Sequence, residues 1–250
     1  MTWTSCEGEL QCASFEAPLN YAEPAGPAVM IKLLKSAAKD PTKRIGALVA
    51  NPGGPGGSGY EFAQYAGGTI SPSVMAAYDV IGFDPRGVAR STPIRCLDGP
   101  QTDQFLSTVG APATAAQQQQ VGQVSKGLGE NCQRRSPGLT PNVGTIAAAR
   151  DMDVLRHLLG EEKLNFLGIS YGTFLGLTYA DLFSDRVGRF VLDGVIDPAL
   201  SSSEVARGQA DGFQVALDRF IADCPKHQDC PLPGDKGAGA EPAEAQAQAE

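Results

Sequence analysis

A serine flanked by glycines is the clearest candidate for chemistry in this sequence. Residues 168–172, Gly-Ile-Ser-Tyr-Gly, match the pattern Gly-x-Ser-x-Gly. An apolar segment at 164–168 predicts a strand before the serine, and a helical pattern begins directly after it. A sharp strand-to-helix turn exposes a serine hydroxyl, and the helix N-terminus favours negative charge beside it. We therefore predict that Ser170 is a nucleophile; the alternative is a chance strand–turn–helix that contains a serine.

A glycine-rich segment at 51–59 could supply the second part of such a site. It follows a predicted strand and contains five glycines in nine residues. In acyl transfer the tetrahedral intermediate carries a negative oxygen that two backbone N–H groups must stabilise. One N–H would come from Tyr171, directly after the nucleophile, and the other from this segment. Pro55 has no N–H, and we choose Gly54 over Gly53 as the donor.

The same glycines allow a competing interpretation as a dinucleotide-binding loop. Gly54, Gly56 and Gly59 satisfy Gly-x-Gly-x-x-Gly, and Asp84 ends the next predicted strand where a ribose-binding acid would lie. However, Pro55 removes a donor from the supposed phosphate cradle, and a nucleotide fold leaves the serine turn unexplained. No lysine follows the glycines as a Walker pattern requires, and the cysteines lack metal-site spacing. We therefore expect neither a cofactor nor a metal.

The elements that position these residues alternate between strands and helices. The apolar runs predict five strands, at 29–34, 45–50, 78–83, 164–168 and 189–192. A helix from about Thr145 to Leu159 is expected to begin with Thr145 as N-cap and to bury one face, formed by Ile146, Ala149, Met152, Leu155 and Leu159. This alternation predicts an α/β fold with a mostly parallel sheet and crossover helices.

Other segments are less regular. Residues 97–141 are polar and are expected to lie at the surface without regular structure. Asp84 and Arg86 are expected to form a pair that fixes a loop. The pattern after Pro198 becomes helical over 204–223, with no further strand, and 234–250 predicts a linker or a marginal helix.

Composition limits the environment and the partners. The formal net charge of −8, without a basic cluster, argues against a nucleic-acid partner. No apolar stretch is long enough to cross a bilayer, so we expect no membrane partner. Six cysteines fall in three local pairs, which favours disulfides and an exported protein over reduced thiols, although six cysteines allow 15 pairings.

With these segments placed, the chain resembles secreted tripeptidyl aminopeptidases, relatives of the prolyl iminopeptidases among α/β-hydrolases. The resemblance runs from Trp3 to about Leu232 and rests on five segments, at 17–21, 51–59, 82–87, 168–173 and 192–198. It implies an α/β-hydrolase fold, an oxyanion N–H at Gly54, and release of short peptides from polypeptide N-termini; some members are esterases. The paired cysteines also resemble those of the family. Ala89 stands where the family usually has glycine.

The resemblance also implies a catalytic acid and base near the C-terminus, after a helical cap. His157 precedes the nucleophile and is expected at the surface, and His227 lies in a short cysteine-bounded loop that suits a cap better than a triad, even with Asp193 or Asp197 as its acid. We therefore expect a core at 1–198 that lacks its C-terminal strands, and the beginning of a cap at 199–233. The partner would be a C-terminal fragment of the same precursor, unless the chain is a truncated form.

The functional prediction is a secreted serine hydrolase, an aminopeptidase that acts on peptides with a free N-terminus through an acyl-enzyme. An esterase with the same Ser170, Gly54 and Tyr171 is the first alternative. A degenerate hydrolase that only binds its ligand is the second.

Overall fold

The computed structural model describes residues 1–108, 110, 112–227 and 229–232. The chain divides into two compact units, Met1–Ile196 and Asp197–Glu250. The first unit contains the sheet and both glycine-containing segments. The predicted linker at 234–250 lies outside the described residues.

A seven-stranded mixed sheet forms the first unit. Its strands are β1 (Thr4–Cys6), β2 (Leu10–Pro18), β3 (Ala28–Ser36), β4 (Gly46–Asn51), β5 (Tyr78–Phe83), β6 (Leu164–Ile169) and β7 (Val187–Asp193). The order across the sheet is β1-β2-β3-β5-β4-β6-β7. The pairs β1–β2, β2–β3 and β3–β5 are antiparallel, and the pairs β5–β4, β4–β6 and β6–β7 are parallel. The predicted α/β class is confirmed, with the difference that β1 and β2 were not predicted.

The two missed strands lie at one edge of the sheet, where burial is incomplete. Most residues of β2 are only half-buried, so its sequence alternates polar and apolar residues rather than forming an apolar run. The central strand β4, in contrast, buries all six of its residues. The apolar-run criterion therefore detects the centre of this sheet and misses its edge.

Helices cover both faces of the sheet and divide the apolar side chains into two clusters. The helices of the first unit are α1 (Gly59–Gln64), α2 (Pro72–Ala77), α3 (Gly99–Thr108), α4 (Ala115–Arg135), α5 (Thr145–Leu158) and α6 (Tyr171–Leu182). One face of the sheet buries Ile31, Val49 and Phe166 with α5 and α6 side chains, and the other buries Leu34 and Val80 with α1 and α2 side chains.

The prediction that 97–141 lacks regular structure is wrong, since α3 and α4 occupy most of it. Thr114 caps α4 in a reciprocal capping box with Gln117. Neither helix buries a residue. The weak apolar pattern of this segment therefore hid two surface helices that local capping and propensity support.

Helix α5 differs from its prediction at the first turn. Gly144, not Thr145, occupies the N-cap position and makes no side-chain cap bond. Ala149, Met152 and Leu155 are buried as predicted, whereas Ile146 is 56% exposed. The buried face of α5 therefore begins at Ala148, after the exposed Ile146.

Three disulfides join neighbouring cysteines: Cys6–Cys12, Cys96–Cys132 and Cys224–Cys230. Cys96–Cys132 attaches α4 to the segment that follows β5. No free cysteine occurs in the described part of the chain.

The second unit contains one long helix, α7 (Ser202–Asp223). Ser201 caps it, and the Glu204 carboxylate accepts a 2.8 Å hydrogen bond from the Ser201 backbone N–H. None of its residues is buried. Among the helices described in either unit, none has the length and apolar character of a bilayer-spanning segment.

Candidate active site

Ser170 lies at the junction of β6 and α6 in a backbone conformation that is rare for a residue with a side chain. Its φ of +55° and ψ of −123° place it outside helix and strand geometry. The Ser170 carbonyl oxygen accepts hydrogen bonds from the backbone N–H and the hydroxyl of Thr173, at 2.9 and 2.7 Å. The first turn of α6 therefore stabilises the backbone conformation of Ser170.

The turn around Ser170, residues 168–172 (the elbow), needs a small residue because another strand end passes beside it. A Cβ on Gly172 would lie 2.5 Å from the Asn51 backbone carbonyl oxygen and 3.0 Å from the Asn51 side-chain oxygen. Asn51 is the last residue of β4 and is buried. Gly172 therefore allows α6 to start directly against the neighbouring strand.

The glycine-rich loop at 52–58 comes into contact with the elbow through Gly53. A Cβ on Gly53 would meet the Ile169 carbonyl oxygen and would lie 3.1 Å from Ser170 Cβ and 3.0 Å from the Tyr171 nitrogen. Gly53 also has a φ of +95°, which favours glycine. The fold thus brings the glycine-rich loop and the predicted nucleophile into contact at Gly53.

Two backbone N–H groups of the glycine-rich loop differ in whether they already donate a hydrogen bond. The Gly53 N–H donates a 3.0 Å hydrogen bond to the Asn51 side-chain oxygen. The Gly54 N–H, by comparison, has no acceptor among the residues that the structure describes. Gly54 therefore remains available as a donor, whereas Gly53 is already engaged.

Tyr171 offers its backbone N–H as the first residue of α6. A first-turn N–H has no acceptor within its own helix, and the helix N-terminus carries partial positive charge. The Tyr171 hydroxyl is 2.7 Å from Thr145 Oγ1, so its side chain packs toward α5. The Tyr171 backbone N–H has no acceptor among the described residues, so the prediction that it donates to an oxyanion is compatible with this geometry.

The loop-fixing pair predicted from Asp84 and Arg86 is wrong. The buried Arg86 guanidinium forms a two-pronged ion pair with Asp151, at 2.7 and 2.5 Å, on α5. Asp84 instead accepts a 2.5 Å hydrogen bond from the Ser58 hydroxyl and a 3.0 Å bond from the Arg90 N–H. Asp84 therefore bonds to the glycine-rich loop and to the Arg90 backbone, whereas Arg86 pairs with α5. The spacing of the two residues in the sequence could not predict these different partners.

The two histidines are both exposed. His157 lies near the end of α5, at the surface as expected. His227 belongs to the second unit, where its Nε2 is 3.0 Å from an Asp223 carboxylate oxygen. Asp193 ends β7, and its side chain is exposed. Within the first unit, His157 is the only histidine.

Two polar residues of the site were missed by sequence analysis. Asn51 was treated only as the start of the glycine segment, and Thr173 only as part of the motif that follows the serine. Their position was a usable signal, because a polar residue that ends a buried strand or begins a helix commonly satisfies backbone groups there.

Comparison with known proteins identifies the family to which this fold belongs. The family model described as the alpha/beta hydrolase fold matches residues 46–244. The chain belongs to the α/β-hydrolase-fold family. The predicted fold class is thereby confirmed, and the relatives that follow confirm the family resemblance inferred from the motifs.

Relatives of this α/β hydrolase carry names from two kinds of hydrolytic chemistry. Serine protease Hip1 of Mycobacterium tuberculosis is 37% identical, over 97% of this chain and 47% of the relative. Tripeptidyl aminopeptidase of Streptomyces coelicolor is 38% identical, over 79% and 38%. Carboxylesterase B of M. tuberculosis is 37% identical, over 92% and 46%. The α/β hydrolase described here spans about half the length of the curated relatives it matches.

Proposed function

We propose that this α/β hydrolase is the nucleophile-bearing part of a serine hydrolase. The observation that carries the proposal is the strained Ser170 turn, with Gly53 packed against Ser170 and Tyr171. A backbone in this conformation persists only when the surrounding structure holds it, and such strain concentrates at functional sites.

The proposed reaction proceeds through an acyl-enzyme. Ser170 Oγ attacks the scissile carbonyl carbon while a base removes its proton, and the carbonyl oxygen becomes an oxyanion. The N–H groups of Gly54 and Tyr171 stabilise that oxygen. The base then gives the proton to the leaving amine as the C–N bond breaks. Water then attacks the acyl carbon while the base takes its proton, and the base returns that proton to Ser170 Oγ as the ester bond breaks and the free acid leaves.

The substrate we propose is a peptide with a free N-terminus, from which a short peptide is released. The names of two relatives, a tripeptidyl aminopeptidase and a serine protease, support this choice. An ester substrate is the second candidate, and the observation that favours it is the 37% identity to Carboxylesterase B over 92% of this chain.

The proposed partner is a C-terminal segment of the same precursor, which would supply the acid and the base. Two observations support it. The outer edge of β7 has no neighbouring strand among the described residues, and Val191 on that strand is 59% exposed. The chain also spans only 47% of Serine protease Hip1. We further propose export, which three disulfides favour.

Covalent labelling of Ser170 by a fluorophosphonate probe, followed by intact mass, tests the proposal. The chain is assayed alone and with the C-terminal segment supplied from the full-length precursor. Ser170→Ala is expected to abolish labelling, while the exposed helix residue variant Ser203→Ala labels normally. The absence of labelling in every preparation would contradict the proposal.

Substrate class is tested in the preparation that labels. A peptide and a matched ester are compared, each with a free N-terminus and in N-acetylated form. Cleavage of the free peptide alone supports the aminopeptidase. Equal cleavage of the ester whether or not its amine is blocked favours the esterase.

A further inference from the structure

Asp84 is a fully buried carboxylate at the end of β5, and its oxygens bind two separate segments. One oxygen accepts from the Ser58 hydroxyl at 2.5 Å and from the Tyr60 N–H at 3.3 Å. The other accepts from the Arg90 N–H at 3.0 Å, with the Arg90 guanidinium 3.8 Å away. Asp84 itself is 0% exposed. A buried carboxylate is costly unless its oxygens are satisfied, so these bonds constrain both segments.

Ser58 is the last residue of the glycine-rich loop, and its hydroxyl has two bonds. It donates to Asp84 and accepts a 3.0 Å hydrogen bond from the Glu61 N–H as the N-cap of α1. The next residue, Gly59, lies so close to β5 that an added Cβ would be 3.0 Å from the Phe83 nitrogen. The far end of the loop is therefore seated on the end of β5.

The near end of the loop is fixed separately. The Asn51 side chain accepts the Gly53 N–H, and Gly53 packs against the elbow. Between the two ends, Gly53, Gly54 and Gly56 have positive φ and no side chains that could hold the loop. Within the loop, the Gly57 N–H donates a 3.0 Å hydrogen bond to the Gly53 carbonyl oxygen and closes the turn that contains Gly54. The direction of the Gly54 N–H consequently depends on this turn and on the two anchored ends that hold it.

We propose that Asp84 is a positioning residue that holds the glycine-rich loop, through Ser58, in the geometry needed for the Gly54 N–H to stabilise an oxyanion. This inference rests on the proposed function. Asp84 does not contact the reacting atoms; its carboxylate fixes the loop that carries the donor. Displacement of a group by about 1 Å can slow a reaction about a hundredfold, so a loosened anchor has a large effect.

Three variants separate positioning from general stability. Asp84→Asn keeps the volume but leaves fewer acceptors for the surrounding N–H and O–H donors. Ser58→Ala removes only the hydroxyl that reaches Asp84. Asp79→Asn is the matched control, because Asp79 is also on β5 and accepts bonds from the Ala38 N–H and Arg44 Nε, at 2.9 and 2.8 Å, away from the loop.

Amide hydrogen exchange under native conditions is the first measurement, and it needs no activity. Exchange of the Gly53 and Gly57 amides, which donate to the Asn51 side chain and to the Gly53 carbonyl oxygen, is expected to become at least about tenfold faster in Asp84→Asn and Ser58→Ala, with no change in Asp79→Asn. Unchanged exchange of the loop in Asp84→Asn, in a variant that remains folded, would overturn the inference.

The fluorophosphonate labelling rate of Ser170 is the second measurement. We expect a loss of about 10- to 100-fold in Asp84→Asn and Ser58→Ala, and the double variant to be no slower than the slower single one. With a substrate, kcat falls while KM is retained. Losses that multiply in the double variant would overturn the connection through Ser58.

The two proposals fail in different ways. If the unaltered protein labels and Asp84→Asn labels equally fast, the positioning inference is wrong and the hydrolase proposal stands. If the unaltered protein never labels, the hydrolase proposal is wrong, and the exchange measurement alone decides whether Asp84 holds the loop.

Discussion

The backbone N–H of Ser170 donates a 2.8 Å hydrogen bond to the carbonyl oxygen of Asp193, the last residue of the neighbouring strand β7. Thr173 adds a second connection between the same two regions. Its hydroxyl donates to the Ser170 carbonyl oxygen and accepts a 3.0 Å bond from the Ile196 N–H. The conformation of the predicted nucleophile thus depends on the segment at the end of β7.

Replacement of Thr173 by valine should affect both stability and reactivity. Valine has nearly the same shape, but it leaves the Ile196 N–H without its acceptor and removes one bond to Ser170. We expect the free energy of unfolding to fall by about 1–3 kcal/mol and the labelling of Ser170 to slow. Chemical denaturation and the probe rate measure these effects.

Thr178→Val is the matched control for this prediction. The Thr178 hydroxyl donates to the Phe174 carbonyl oxygen at 2.8 Å, in the same helix but away from the elbow. We expect its labelling rate to remain normal. Equal slowing in both variants would show that the Thr173 connection has no special effect on Ser170.

Alanine at Gly53 should be far more damaging than alanine at Gly56. The two glycines have φ values of +95° and +98°, so the backbone strain of a side chain is similar. A Cβ at Gly53 would press against Ile169, Ser170 and Tyr171, whereas a Cβ at Gly56 has no atom within 4 Å.

We therefore expect Gly53→Ala to slow labelling of Ser170 by at least about tenfold, since it displaces the loop from the elbow. Gly56→Ala should lose only about 1–2 kcal/mol of stability from strain and keep most of its reactivity. Intact-mass labelling and thermal unfolding of both variants make the comparison. Similar labelling rates would contradict the close approach at Gly53.

Removal of the Arg86 guanidinium should destabilise the first unit strongly. Its side chain is fully buried, pairs with Asp151, and also donates to the carbonyl oxygens of Pro18, Leu19 and Asn142. Arg86→Met leaves Asp151 as a buried carboxylate, which costs about 3–5 kcal/mol.

Arg44→Met provides the comparison for Arg86. Arg44 pairs with Asp79 at 2.8 Å but is 44% exposed in its side chain, so its loss should cost at most about 1 kcal/mol. Urea denaturation of both variants tests the difference. A loss below about 1 kcal/mol for Arg86→Met would refute the role assigned to the buried pair.

Alkaline titration should reveal buried tyrosines that resist ionisation in the folded protein. Burial raises the pKa of Tyr21, and the adjacent Asp151 raises it further. Burial likewise raises the pKa of Tyr179, with Asp153 adding to the effect. A folded-state pKa above the unfolded value of about 10 means that stability is full below pH 10 and is lost as the pH rises above it.

The absorbance at 295 nm should therefore show a late stage, in which Tyr21 and Tyr179 ionise only with alkaline unfolding. Tyr21→Phe should reduce the amplitude of this late stage. An absorbance rise that is complete near pH 10, with no later stage, would disagree with this assignment.

Much of the architecture could be predicted because its signals are local. The buried strands β4, β5 and β6 are mostly apolar, with one polar residue each, and the serine turn is marked by glycines on both sides. Strands β1 and β2 could not be found this way, because half-buried edge strands do not form apolar runs. Helices α3 and α4 were missed because they bury no apolar face.

The site was predictable in its motifs but not in its connections. The sequence identifies Ser170 and the glycine segment separately, and the packing of Gly53 against Ser170 requires the order β4–β6 across the sheet. The pairing of Arg86 with Asp151 joins residues 65 positions apart and replaces the nearer partner Asp84. Burial decides such pairings, and burial depends on the whole fold.

All three disulfides join cysteines that are near each other in the sequence, and none joins a cysteine of one unit to a cysteine of the other. Their cysteines are separated by 6, 36 and 6 residues. Cysteine pairing therefore does not need the completed sheet: each bond can close once its own segment has left the ribosome or the export channel. Oxidation then stabilises separate regions in turn, so reduction of Cys224–Cys230 should leave the folding of β4, β6 and the serine turn unchanged.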